Sequence, residues 1–212
     1  MPTEHIIYIP TIFLLGMLAG RFIPTSRPFF AAAPGRGKLG WFAAGSIVLT
    51  LLIFALTHVV APLGGVHAVS NLGHGQTVLD QQPVFSASEI YTRLEGFGAA
   101  GRDAYKAMTY SSDLLFPTSL LAALVLLGTY LGRRAGFSGA AWRWRTLLPV
   151  AWFVADMAEN AMIYQILDAY PEHMAWAPAL GVVTVLKFAL LLSSIVMLVA
   201  LAWFGRTTKS EV

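Results

Sequence analysis

The chain contains no cysteine. That excludes disulfide scaffolds, thiolate metal sites and thiol nucleophiles. It is also poor in charge, at 12% Asp, Glu, Lys and Arg against roughly 25% for a soluble domain. Neither a phosphate-binding G-x-x-x-x-G-K-[ST] loop, an H-E-x-x-H pair nor a G-x-S-x-G elbow occurs, which removes the usual nucleotide, zinc-protease and serine-hydrolase sites. Acids are missing altogether from residues 24–40 and 132–146.

What fills the space is apolar. Of 212 residues, 57% are hydrophobic and the mean hydropathy is +0.66, a balance that belongs in a bilayer. About 20 apolar residues make one membrane helix, and five runs qualify: residues 6–23, 41–60, 114–131, 147–167 and 179–204. The reading is therefore all-α, a polytopic membrane helical bundle of five transmembrane helices. Residues 1–212 form a single membrane domain, and residues 61–112 make an external segment.

Charge placement orients it. Arg21, Arg27, Arg36 and Lys38 follow the first run, Arg133, Arg134, Arg143 and Arg145 the third, and Arg206 and Lys209 the fifth. Ten of the 14 basic residues thus share one side, while eight of the 11 acids fall on the other. The positive-inside rule makes the first side cytoplasmic, with the N-terminus outside and the C-terminus cytoplasmic. The expected location is a bacterial cytoplasmic (inner) membrane. The net charge of +3 belongs to loops facing anionic lipid heads, so no nucleic acid partner is implied. The first run carries Glu4 and His5 before its apolar core and Arg21 after it, the flanks of an anchor rather than of a signal peptide.

In the external segment, residues 62–83 are Gly-rich and aperiodic and read as irregular. Ser86 and Glu89 then match a capping box, and Ile90, Tyr91, Leu94 and Phe97 follow at helical spacing. This predicts a short amphipathic helix, lying at the outer membrane surface or packed on the bundle. Gly96, Gly98 and Gly101 match G-x-G-x-x-G, but no strand precedes them, so they read as a helix stop and restart. From about Ala100 an uninterrupted helix is expected to enter the third span, with Arg102, Lys106, Thr109 and Asp113 on one face. Pro117 has no N–H, so the carbonyl of Asp113 four residues earlier loses its intrahelical partner, and a kink is expected. Either Asp113 with Arg102 would form the mouth of a site, or Asp113 sits at the interface and pairs locally with Thr109 or Lys106.

The strongest signal lies inside the bilayer. Asp156, Glu159 and Asn160 share one helical face in the fourth run, and Lys187 shares a face with Thr184 and Ser194 in the fifth. An Asp or Lys at the centre of a membrane helix costs about 2.5–3.5 kcal/mol on insertion scales. The two stripes should therefore turn toward each other, with Lys187 paired to Asp156 or Glu159 and one acid left over. Ser46, Thr50 and Thr57 form a thinner stripe, suited to bonding its own backbone or a neighbouring helix, and read as packing first and pocket lining second.

All five histidines fall at or beyond the outer boundary without ligand spacing, and no metal or other cofactor is called for. The tryptophans cluster near span ends, as in an aromatic belt. Gly16 and Gly20 fit a small-xxx-small contact, suited to folding, to a homo-oligomer or to a membrane partner chain, beside the lipid bilayer itself.

The order Gly101-Arg102-x-x-Tyr105, Asp113-x-x-Phe116-Pro117, Asp156-x-x-Glu159-Asn160 and Lys187 resembles a pattern in small bacterial polytopic membrane proteins of uncharacterised activity. The likeness covers roughly residues 86–190. It implies no reaction, but it groups Arg102, Tyr105, Asp113, Asp156, Glu159, Asn160 and Lys187 as one set. Three functions suit these residues. One is an outward-opening polar site that binds or transports a small molecule, lipid or proton. Another is a membrane enzyme using Asp156 and Glu159 as an acid–base pair on a lipid-soluble substrate. The third is a structural or assembly subunit of a membrane complex.

Overall fold

The computed structural model describes residues 36–60, 65–136 and 140–207. The first apolar run, with Gly16 and Gly20, lies outside them. All regular structure among the described residues is helical. In chain order it comprises α1 (Arg36–Phe54) with a π-helical turn (Ala55–Val59), α2 (Val66–Leu72), a 3-10 turn (Leu79–Gln81), α3 (Ala87–Gly96), α4 (Gly98–Thr109), α5 (Ser112–Arg134), α6 (Ala140–Ala169) and α7 (Ala179–Thr207).

Three stretches, Leu39–Val59, Gly98–Arg134 and Ala179–Phe204, are long and apolar enough to cross a membrane. Their exposure pattern is that of a protein in lipid. On α7 the exposed side chains include Val182, Leu186, Leu192, Val196, Val199 and Trp203, while Thr184, Lys187 and Ser194 are buried. A helix in water would show the reverse. Helix α6 has 30 residues, about 45 Å at 1.5 Å per residue. Its polar face holds Asp156, Glu159 and Asn160, and it is not among those three stretches.

Helices α6 and α7 pack along each other, and α5 packs against both as well as against α1. Two apolar cores result. One gathers Leu79, Ile90, Leu94, Phe97, Tyr105, Ile163, Ile166 and Leu180, where the 3-10 turn, α3 and α4 meet one end of α6 and α7. The other gathers Leu121, Leu124, Trp152, Phe153 and Leu198 within the bundle. Along α6 and α7, Asp156, Glu159 and Lys187 fall between these cores.

Several expectations need correction. The helix from Ala100 does not run on into the third span: α4 ends at Thr109 and α5 starts at Ser112. Thr109, Tyr110, Ser111, Ser112 and Asp113 are weak helix formers, and their side chains compete for the backbone. Thr109 Oγ1 donates to the Lys106 carbonyl and Ser111 Oγ to that of Ala107. Residues 62–83 are not wholly irregular, since they hold α2 and the 3-10 turn. A seven-residue helix between glycines is too short to show a periodic signal. Ser86 does precede α3, but its hydroxyl bonds Ser88 Oγ rather than closing a capping box. Helix α3 packs on the bundle through buried Ile90, Tyr91 and Leu94, which selects one of the two placements its amphipathic pattern allowed.

The glycine reading holds. Gly98 opens α4 with φ +63°, a left-handed conformation that suits glycine. A Cβ on Gly101 would lie 2.7 Å from Gly73 Cα, so these two glycines let α4 and the end of α2 touch. Ser46, Thr50 and Thr57 donate to the carbonyls of Ala43, Ser46 and Ile53 in their own helix rather than to a neighbour.

Candidate functional site: a buried carboxylate cluster around Lys187

Lys187 is the centre. Its Nζ contacts a carboxylate oxygen of Glu159 and lies 3.5 Å from Asp156 Oδ1. Glu159 is fully buried, and its other carboxylate oxygen accepts from Thr184 Oγ1. The three-residue step from Asp156 to Glu159 on α6 sets both acids on one face, and the three-residue step from Thr184 to Lys187 does the same on α7. Antiparallel packing brings the two faces together. On α7, which is apolar enough to cross a membrane, facing inward keeps Lys187 away from hydrocarbon.

Asn160 occupies the next position of the α6 face and reaches α5. Its Nδ2 donates to the Asp113 carbonyl at 3.2 Å. Pro117 leaves that carbonyl without its intrahelical N–H, so a side-chain amide from another helix supplies the missing donor. Asp113 itself is buried, and its carboxylate lies within electrostatic reach of Asp80, Asp156, Lys187 and Glu159.

The segment between α2 and α5 closes the cluster. Lys187 Nζ donates to the Asp80 carbonyl at 3.4 Å. Tyr105, fully buried on α4, accepts from the Leu79 N–H at 2.8 Å and donates to Asp80 Oδ1 at 3.1 Å. The 3-10 turn is thereby tied to α4 and to α7.

Of the seven residues grouped by sequence, the structure brings Asp156, Glu159, Asn160, Lys187 and Asp113 into one network, and Tyr105 joins through Asp80. Arg102 does not join. Its guanidinium donates to the Leu94 carbonyl at 2.9 Å and lies over the Tyr170 ring. The mouth expected from Arg102 and Asp113 is therefore absent, because the break at residues 110–111 ends their common helical face. Lys106 also turns away, pairing with Asp168. Asp80 was missed by sequence reasoning. It stands in an aperiodic stretch, and the only hint was the apolar pair Val78 and Leu79 among polar neighbours, both buried.

Four carboxylates, Asp80, Asp113, Asp156 and Glu159, surround one ammonium group. Two carboxylate oxygens, Asp113 Oδ2 and Asp156 Oδ2, are sealed from solvent with no hydrogen-bond partner. A buried anionic oxygen without a partner is costly. The arrangement is suited to taking up positive charge and to holding a polar group by Asn160 and Lys187. Among the described residues no group of three or more His, Asp or Glu is arranged to hold a metal ion. Comparison of the chain with protein-family models, with curated proteins and with solved structures finds no match.

Proposed function

We propose that this is a five-span protein of the bacterial inner membrane, N-terminus outside and C-terminus cytoplasmic, whose buried site binds or transports a small molecule or a proton from the outer side. The topology rests on the ten basic residues gathered on one side of the apolar runs. Helix α6 is the fourth span in this reading, shielded by α5 and α7 along its charged face.

The observation that carries the functional reading is the surplus of buried carboxylate over ammonium, with two carboxylate oxygens left unpartnered. A structural ion pair requires one acid for Lys187. The further acids are a standing cost, and intramembrane ionisable groups of this kind mark ion and substrate paths. The outer turn Leu79–Gln81 serves as the cover over the site.

The test is flux. The full chain is reconstituted in liposomes containing a pH-sensitive dye, and proton movement is followed under an imposed gradient. Asp156→Asn and Glu159→Gln should abolish flux while leaving insertion and the size-exclusion profile unchanged. Wild-type liposomes no leakier than empty ones, or variants as active as wild type, overturn the transport reading. Variants that are degraded unless a partner chain is co-produced point instead to an assembly subunit.

A further inference from the structure

Three elements bring carboxylates around Lys187 on α7: Asp80 from the 3-10 turn, Asp113 from α5, and Asp156 and Glu159 from α6; Tyr105 on α4 holds Asp80. His58, in the π-helical turn after α1, lies within electrostatic reach of Asp80. The single ammonium is already committed to Glu159 and, at 3.5 Å, to Asp156. Asp113 receives none of it directly. Its carbonyl is taken by Asn160, and its Oδ2, like that of Asp156, is enclosed with no partner. Both residues are more than nine-tenths buried, at 8% and 7% exposure. Asp80 differs. It is half-buried, and Gln81 and Gln82 beside it are exposed.

Three kinds of charge can complete such a cluster. A metal ion needs several converging oxygen ligands. No such group exists among the described residues, and the Lys187 ammonium already holds the centre, where it repels a second cation. An organic cation needs room, and Tyr105, Glu159 and Thr184, which surround the centre, are fully buried. A proton needs neither a coordination sphere nor a cavity.

We propose that the ligand of this site is the proton: Asp113 and Asp156 hold it inside, and Asp80 is the group through which it enters from the outer water. This rests on reading the cluster as a binding site and goes further in naming what binds. Hydronium gives its proton to the Asp80 carboxylate, forming a neutral carboxylic acid and leaving water. Asp80 passes that proton to the inner carboxylates and returns to its anion. Each transfer forms one O–H bond and breaks one, and the inner site loses one negative charge per proton taken up. Tyr105 positions Asp80 through its hydrogen bond to Oδ1.

Infrared difference spectroscopy on the full chain in phosphatidylcholine vesicles tests this. Stepping the pH should reveal carboxylic acid C=O bands that shift in D2O. Labelling the aspartates with 13C should move those bands, a readout that needs no substitution. Asp113→Asn and Asp156→Asn should each delete a band. Asp80→Asn should keep the inner bands but slow their exchange with D2O about a hundredfold, the size of effect a positioned acid–base group has on proton transfer. The proposal is overturned if wild type shows no titrating carboxylic acid band, if the bands ignore 13C-aspartate, or if sodium, potassium or tetramethylammonium at fixed pH displaces them. Wild-type exchange in Asp80→Asn removes Asp80 as the entry group. Liposome flux without these bands defeats this inference and leaves transport standing, whereas bands without flux do the opposite.

Discussion

The side-chain amide of Asn160 on α6 donates at 3.2 Å to the backbone carbonyl of Asp113 on α5, the one carbonyl that Pro117 deprives of a helical N–H. Two features far apart in the chain thus answer each other. The relationship predicts a specific coupling. Asn160→Ala should destabilise the protein by about 1–3 kcal/mol, the cost of an orphaned buried acceptor. In a Pro117→Ala background, residue 117 regains its N–H and can serve the same carbonyl. The cost of Asn160→Ala should then shrink by about 1 kcal/mol or more. A double-mutant cycle, read by unfolding in mixed micelles, measures this, and strict additivity would refute it.

Lys187 holds the cluster's only ammonium. Replacing it with Met leaves Glu159 buried without a counter-ion, either charged or made to take up a proton, and should cost about 3–5 kcal/mol. Adding Glu159→Gln should recover much of that loss, because the uncompensated carboxylate is then gone. Unfolding midpoints of the two single variants and the double variant provide the comparison. A double variant no more stable than Lys187→Met would contradict the assignment.

Tyr105 ties the 3-10 turn down with its hydroxyl alone. Tyr105→Phe keeps the ring in the apolar core with Leu79, Phe97 and Ile163 but leaves the Leu79 N–H unpaired. The expected loss is about 1–3 kcal/mol, and the Leu79 amide should exchange hydrogen faster than the amides of α6. Unchanged exchange at Leu79 would show that other contacts secure the turn.

Close backbone approach makes two glycines unequal. A Cβ on Gly181 would meet the Val84 carbonyl oxygen at 2.6 Å, whereas Gly45 has nothing within 4 Å. Gly181→Ala should therefore cost about 1–3 kcal/mol through overpacking, and it should loosen the chain around Val84. Gly45→Ala should be neutral or gain up to about 1 kcal/mol as a helical Gly→Ala change. Thermal unfolding of both variants decides the matter, and equal effects would contradict the packing described.

The Lys106–Asp168 pair is a contrast to Lys187. Its side chains are 30% and 57% exposed, and exposed pairs contribute about 0–1 kcal/mol. Lys106→Met should change stability by less than that and leave liposome flux intact. A larger loss of stability would contradict the exposed character of the pair, and lost flux would add Lys106 to the proposed site.

How much was legible in one dimension follows from the range of each interaction. Asp156, Glu159 and Asn160 could be placed on one face because a helix repeats every 3.6 residues. Their meeting with Lys187 followed from the cost of charge in hydrocarbon, which left no other direction to face. The break at Tyr110 and Ser111 was misjudged because weak helix formers can be carried through a helix or can end it, and the surrounding packing decides. Arg102 was drawn into the site by that same error.

The sequence by itself determined the all-helical character, the apolar stretches, and the inward turn of α6 and α7, since composition and helical period are local properties and hydrocarbon penalises charge wherever it sits. Only the tertiary structure decided that Asp80 joins the cluster, that Asn160 serves the Asp113 carbonyl, and that Arg102 stays outside. These are contacts between elements whose separation along the chain carries no period, so they arise only when packing brings the elements together.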